Sequence, residues 1–263
     1  MKSGVLIFAY NNEHIDYIKM AEWSAKNIHR HLDLPVCLVS NKPIVSNSFE
    51  KVIVIDVNGV DVRHFSDYGE TVTWYNGNRS DVYDITPWDK TLVLDADYVV
   101  ASSQLKMLFD MNQDFIAHKT AYDITGLNDF TGLNNFGRHK MPMWWATVML
   151  FQKNTTSKLI FDSMKMVRDN WRHYLNLYAI SNDTYRNDYA LSIALGIVNG
   201  HDINYPSIPW GLASLTPEHV LTQMDVDKYR VDFLTTDQKP KWIIINQDFH
   251  AMGKKHLGDI IVK

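Results

Sequence analysis

The 263-residue sequence contains one cysteine, Cys37, so no disulfide can form within the chain, and a small disulfide-stapled scaffold is excluded. Cys37 lies in the apolar run Val36-Cys37-Leu38-Val39 and reads as a core residue. No apolar run approaches the roughly 18 residues that suggest a membrane-spanning helix, and no N-terminal stretch has the form of a secretory signal. Together with the lone thiol, this predicts a protein of the reducing cytoplasm. Internal repeats and low-complexity segments are also missing. So is a glycine-rich phosphate loop: Tyr10-Asn11-Asn12, after the first apolar run, matches neither a Walker A nor a GxGxxG pattern. That absence argues against enzymes that grip phosphate with main-chain amides and favours a diphosphate held through a metal. The net charge of −4 excludes a generally basic nucleic-acid binder. Residues 1–125 hold 17 acidic and 11 basic side chains and the remainder 13 and 15, an imbalance that a solvated surface explains.

What is present is a core. With 46% hydrophobic side chains the chain can close one large α/β domain. Residues 4–9 form a continuous apolar run, a buried first strand. Ile15, Ile18, Ala21, Ala25, Ile28 and Leu32 then recur at helical spacing until Pro35. Val36 to Val39 and Val52 to Ile55 supply two further strands, and Thr91 to Asp95 another. This β-α-β opening predicts a mostly parallel sheet flanked by helices.

The stretch Thr91-Leu92-Val93-Leu94-Asp95-Ala96-Asp97-Tyr98-Val99-Val100 places two carboxylates inside an apolar run. Ionised there, they need a cation or a protonated partner. Residues two apart in a strand share a face, so Asp95 and Asp97 converge if the strand persists. A hard divalent cation such as Mg²⁺ or Mn²⁺ fits such a pair. The same residues also read as a strand end that caps a helix begun by Ser102 or Ser103. Asp225-Val226-Asp227 repeats the spacing in a polar, helix-like stretch and reads as solvated surface.

Tyr10 and Asn11, at the end of the first strand, suit stacking and hydrogen bonding to a nucleobase, or are simply polar loop residues. Residues 67–86 are polar and aromatic and read as partly helical, and Arg79 within them has donors suited to phosphate. A helix is expected near 103–111 and a strand at Phe115 to His118. Residues 119–143 show no periodicity and read as a long functional or surface loop. Arg138, His139, Lys140, Trp144 and Trp145 make its end basic and aromatic. Ala146 to Phe151 is a buried strand, followed by helices over Ser157–Tyr174 and Thr184–Val198. Asn187 and Asp188 stand in the first turns of the second helix, where an acid is favourable on dipole grounds alone. Trp242 to Asn246 is a late strand. Beyond it, His250 offers a third metal ligand and Gly253-Lys254-Lys255 a phosphate contact, or else an ordinary basic surface.

Leu92-Val93-Leu94-Asp95-Ala96-Asp97, preceded by Trp88-Asp89-Lys90, resembles the D-x-D segment of GT-A glycosyltransferases, in particular glycosyltransferase family 8. Arg79 stands where that family carries a basic residue. Trp145-Ala146-Thr147-Val148-Met149-Leu150-Phe151 is similar to the family's strand ending G-V-M-L-F, and Asn187-Asp188-Tyr189-Ala190-Leu191 to its D-Q-D-A-L segment. His250-Ala251-Met252-Gly253 resembles the start of its H-x-x-G-x-x-K-P-W. Here His256 occupies the lysine position, Lys254 and Lys255 precede it, and no Pro-Trp follows.

The resemblance implies a single GT-A-type domain over 1–263. Residues 1–118 would form the nucleotide-sugar and metal half, and 119–263 the acceptor half with the C-terminal metal and phosphate segment. It implies Asp95, Asp97 and His250 as ligands of Mn²⁺ or Mg²⁺. Tyr10, Asn11, Tyr17, Arg79, Ala96, Gly253, Lys254 and Lys255 would contact a nucleotide-diphosphate sugar, by expectation a UDP-sugar, and Asp188 with Asn187 would face the reacting sugar, with retention of configuration. A glycan acceptor beside Arg138, Lys140, Trp144 and Trp145 is the expectation by analogy. A DNA base gripped by the same segment is one alternative, and a non-catalytic nucleotide- or partner-binding domain another.

Overall fold

The computed structural model describes residues 1–57, 61–65, 70–202 and 204–261. Six strands form the central sheet: β1 (Ser3–Ala9), β2 (Val36–Ser40), β3 (Lys51–Val54), β4 (Lys90–Asp95), β5 (Phe115–His118) and β6 (Trp145–Gln152), in the order β3-β2-β1-β4-β6-β5. The first four in that order pair in parallel, and β6 runs against both of its neighbours. The mostly parallel sheet expected from the β-α-β opening is present. Strand β6 lies between β4 and β5, so the stretches before and after residue 118 share one sheet.

Both faces of the sheet are covered, which is why its strands read as unbroken apolar runs. Val5, Ile7, Leu92 and Leu94 pack with Ile18, Ala21, Ala25 and Ile28 of α1 (Tyr17–Leu32). Leu6, Phe8 and Val93 point the other way, toward Ile160, Phe161 and Met164 of α2 (Thr155–Asp169) and Leu191 and Leu195 of α3 (Asn187–Asn199). Cys37 is buried in this second core, as expected. Gly4 is the second residue of β1, and a Cβ there would stand 2.4 Å from the Trp88 ring.

A second sheet of four short strands crosses the carboxyl edge of the first: Tyr98–Val99, Phe249–Ala251, Leu212–Leu215 and Ala121–Asp123. Tyr98 pairs with His250, and the Ala251 N–H donates to the Asp97 carbonyl at 3.0 Å. The chain therefore leaves one sheet at Asp95 and enters another at Tyr98, with Ala96 and Asp97 as the corner. A final helix, α4 (Lys254–Ile261), follows the 249–251 strand. No described helix is long and apolar enough to cross a membrane.

Several elements differ from expectation. The predicted helix over 157–174 breaks at Asn170, whose side chain donates to the Met166 carbonyl at 2.9 Å. The Asn170 N–H still donates to the same carbonyl at 3.1 Å, but its backbone has left the helical region at φ −120° and ψ 33°, and a separate helix, Trp171–Leu177, follows. The second helix begins at Asn187 rather than Thr184, leaving Arg186 extended. Residues 119–143 are not structureless: they contain the strand Ala121–Asp123, a 3₁₀ turn at Thr131–Leu133 and a small hairpin, Asn135–Phe136 with Met141–Pro142. Asp225 to Asp227 is a turn, not a helix, because the Asp225 carboxylate accepts from the N–H groups of Asp227 and Lys228 at 3.1 Å each. The turn joins the first two strands of an antiparallel sheet, Val220–Asp225, Arg230–Leu234 and Pro240–Ile244, and the last of these overlaps the expected late strand but begins and ends two residues earlier than the predicted Trp242 to Asn246. Within 67–86, residues 70–74 are a strand of a hairpin with 61–65 and residues 78–85 are helical; residues 67–69 lie outside the described residues.

Candidate active site

The carboxyl edge of the sheet opens into a cleft of about 520 Å³, the position that open α/β sheets reserve for ligands. Topology brings the chemistry there. Phe8 of β1 pairs with Asp95 at the end of β4, so Tyr10 and the acidic corner leave the sheet side by side. Because β6 runs in the reverse sense, its first residues, Trp145 to Thr147, stand at the same edge, and Asp188 at the start of α3 accepts the Ala146 N–H at 2.9 Å.

Asp95, Asp97 and His250 each present a ligand atom within 4.8 Å of the other two. Asp97 is 3% exposed, with Lys254 Nζ 2.8 Å and His250 Nε2 3.3 Å from its Oδ2. Burial works against its charge, but Lys254 and then His250 outweigh it and hold the carboxyl well below the usual carboxylate range. Burial likewise opposes the Lys254 ammonium, and Asp97 raises it above the usual lysine range. Apart from that 3.3 Å approach of Nε2 to Asp97, neither ring nitrogen of the buried His250 makes a well-aligned hydrogen bond to a described residue. A buried imidazole converging on two carboxylates is a donor set that fits a divalent cation. The alternative role of the two acids, capping the turn at Ser102, belongs to Asp248 instead: its Oδ1 accepts from the Ala101 and Ser102 N–H groups at 2.8 Å each.

Arg79 is 2% exposed. It forms an ion pair with Asp95 and donates to the Ala146 carbonyl at 2.5 Å, so it ties the end of β4 to β6 at the floor of the cleft. Asp188 also binds Arg186 at 2.8 Å. Burial disfavours its charge, while Arg186 and the Ala146 N–H hold its carboxyl below the usual range. Asn187 donates to the Asn76 carbonyl at 2.8 Å. Tyr10, whose phenol burial pushes above its usual range, lines the cleft with Tyr17 and Ala96.

Four expected site residues fall elsewhere. Asn11 is spent on the start of α1, its amide donating to Asp16 at 2.8 Å and its carbonyl oxygen accepting the Ile18 N–H at 2.9 Å. Its neighbour Asn12 lines the cleft. Gly253 and Lys255 are not among the lining residues. Trp144 is buried in the core on the α2 and α3 side, edge-on to Tyr205, so the DNA-base alternative loses one of its two stacking surfaces. Trp145 does line the cleft, and with Arg138 and Lys140 it also lines an adjoining cavity of about 630 Å³. The sequence reading missed Trp74, Tyr75, Asn76, Arg186 and Met252, all in the cleft wall. The aromatic density of residues 67–86 was the available signal for the first three, and Arg186 adjoins the motif at Asn187.

An α/β protein with a two-acid, one-imidazole centre in a cleft at the sheet's carboxyl edge is thus defined. No protein-family model matches the sequence, and no curated protein matches it significantly. Among solved structures, the chain is similar to the glycosyltransferase GlyE of Streptococcus pneumoniae TIGR4, with TM-score 0.45 and 14% identity over 80% of this chain and 46% of that one. It is similar also to the galactosyltransferase LgtC in complex with donor and acceptor sugar analogues, with TM-score 0.47 and 15% identity over 73% and 70% of the two chains. The chain thus spans less than half the length of GlyE.

Proposed function

We propose that the chain is a metal-dependent glycosyltransferase that moves a sugar from a nucleotide-diphosphate sugar, in the first instance a UDP-sugar, to a hydroxyl group of a glycan. The observation that carries this reading is the convergence of Asp95, Asp97 and His250 at the D-x-D corner whose sequence resembles family 8. Those three residues would hold Mn²⁺ or Mg²⁺. Such an ion, when bound, neutralises charge on a diphosphate leaving group.

The chain's own residues do the rest. Arg79 fixes Asp95. Lys254 lies within 2.8 Å of Asp97 and would offer its ammonium to a phosphate oxygen of a bound diphosphate. Tyr10, Tyr17, Trp74 and Tyr75 wall the cleft with rings suited to a nucleoside. Asp188, kept ionised by Arg186, and Asn187 face the sugar, and by the family resemblance its configuration is retained.

The test is a panel of UDP-, GDP- and CMP-sugars with Mn²⁺, read as nucleotide release, for the wild type and Asp97→Asn. Release from one donor that disappears in a folded Asp97→Asn protein is expected. Equal turnover by the variant removes the metal role. Nucleotide binding with no release from any donor makes the chain a binding domain instead.

A further inference from the structure

The cavity beside the cleft shares Trp145, Arg186 and Met252 with it, so a molecule seated there abuts whatever occupies the cleft. At about 630 Å³ it falls within the range of small-ligand sites. Three cations line it, Arg138, Lys140 and Arg186, and no carboxylate does. Arg186 is already committed to Asp188 at 2.8 Å. Arg138 and Lys140 have no ion-pair partner among the described residues.

These two side chains stand on a built support. The Arg138 N–H donates to the Ala179 carbonyl at 3.1 Å and the Lys140 N–H to the Gly137 carbonyl at 3.3 Å. Gly137 has φ +66°, and a Cβ there would stand 2.3 Å from the Tyr178 carbonyl oxygen, so only glycine lets the turn lie this close to the 171–177 helix. Lys140 itself holds a left-handed φ of 54°. Phe136 and Tyr189 also line the cavity, with ring centroids 4.9 Å apart; Tyr189 stacks in addition on Trp171 at 6.1 Å and lies 5.3 Å from the Arg186 guanidinium, and the buried Trp145 has an Nε1–H with no partner among the described residues. A wall of aromatic side chains suits the apolar side of a sugar ring, and two unpaired cations suit a negative substituent.

We infer that this cavity selects an acceptor saccharide bearing an anionic group, a carboxylate or a phosphate, over its neutral counterpart. The inference rests on the reading of the adjoining cleft as the donor site. Arg138 and Lys140 hold the anion, and Trp145, Phe136 and Tyr189 hold the ring, placing the saccharide against the cleft across Trp145 and Met252.

The experiment measures binding of glucose, glucuronate and glucose 6-phosphate to the full chain by saturation-transfer NMR, at low and high salt. It compares the wild type with Arg138→Gln/Lys140→Gln, whose folding is checked by thermal melting. The expected result is that at least one anionic sugar binds about tenfold tighter than glucose, that salt erodes the preference, and that the double variant loses it. The two anionic arms tell carboxylate from phosphate. Equal binding of all three sugars, binding of none, or a preference that survives the double substitution overturns the inference. Mn²⁺-UDP binding to the wild type is measured alongside. Its absence with the anion preference intact upholds the charge selectivity of this cavity and overturns only the donor reading of the cleft.

Discussion

Lys254 stands where a divalent cation would compete with it. Its Nζ is 2.8 Å from Asp97 Oδ2, with a quarter of the side chain exposed. At an effective dielectric of about 20, two unit charges at that separation attract by roughly 6 kcal/mol, an upper bound. Most of this is offset by the hydration that the ammonium regains on leaving. If on the order of 1.4 kcal/mol remains, it is a tenfold effect on an equilibrium. Replacing Lys254 with Met removes both the competing cation and its repulsion of an incoming metal. Titration of Mn²⁺, followed by electron paramagnetic resonance of the free ion, should therefore show Lys254→Met binding metal at least about tenfold more tightly than the wild type. With UDP present the difference should shrink or reverse, because the displaced ammonium then has a phosphate to meet. Unchanged or weaker Mn²⁺ binding by the variant without nucleotide would refute the competition.

Arg79→Met strands the Asp95 carboxylate and the Ala146 carbonyl at the floor of the cleft. Breaking a buried pair from one side costs about 3–5 kcal/mol, read as a lower urea midpoint, and a loss under about 1 kcal/mol would show that Arg79 is not the tie between β4 and β6. Asp248 titrates in the opposite sense to Asp97. Burial, only partly offset by the Ala101 and Ser102 donors, pushes its carboxyl up to about 6, so between about pH 4 and pH 6 the folded chain keeps a proton that the unfolded chain has lost. Stability must fall as pH rises through that window, by up to roughly 3 kcal/mol from this group. Asp248→Asn should remove that part of the slope in thermal melts at pH 4 and pH 7, and parallel pH profiles for the two proteins would contradict the shift. For Asp97, whose folded value is depressed, stability is fully present above its unfolded pKa of about 4 and is lost only as pH falls toward the depressed value.

The parts that were legible in the sequence are those in which local pattern and tertiary burial demand the same residues. Strands β1, β2 and β4 are apolar because helices cover both faces of the sheet, and α1 shows its 3.6-residue repeat because a single face meets β1 and β4. Asp95 and Asp97 were conspicuous for the same reason: a charge in such a run requires an explanation. The second sheet had no comparable signal. Its strands are two to four residues long, too short for any period to show, and without it nothing places His250 at the acidic corner.

Adjacent residues mark where sequence reasoning stopped. Trp144 and Trp145 belong to opposite cores, and only the way the chain enters β6 at Trp145 decides which of them meets the cleft. Asn11 and Asn12 divide similarly: both brace the approach to α1, Asn11 through Asp16 and Ile18 and Asn12 through the His14 and Ile15 N–H groups, yet only Asn12 lines the wall. Composition made both pairs look interchangeable. The site itself depends on one long-range match, His250 opposite Tyr98, which seats the imidazole one residue past Asp97. A shift of one residue in that pairing would turn the ring to the other face of the sheet and leave Asp95 and Asp97 without a third ligand.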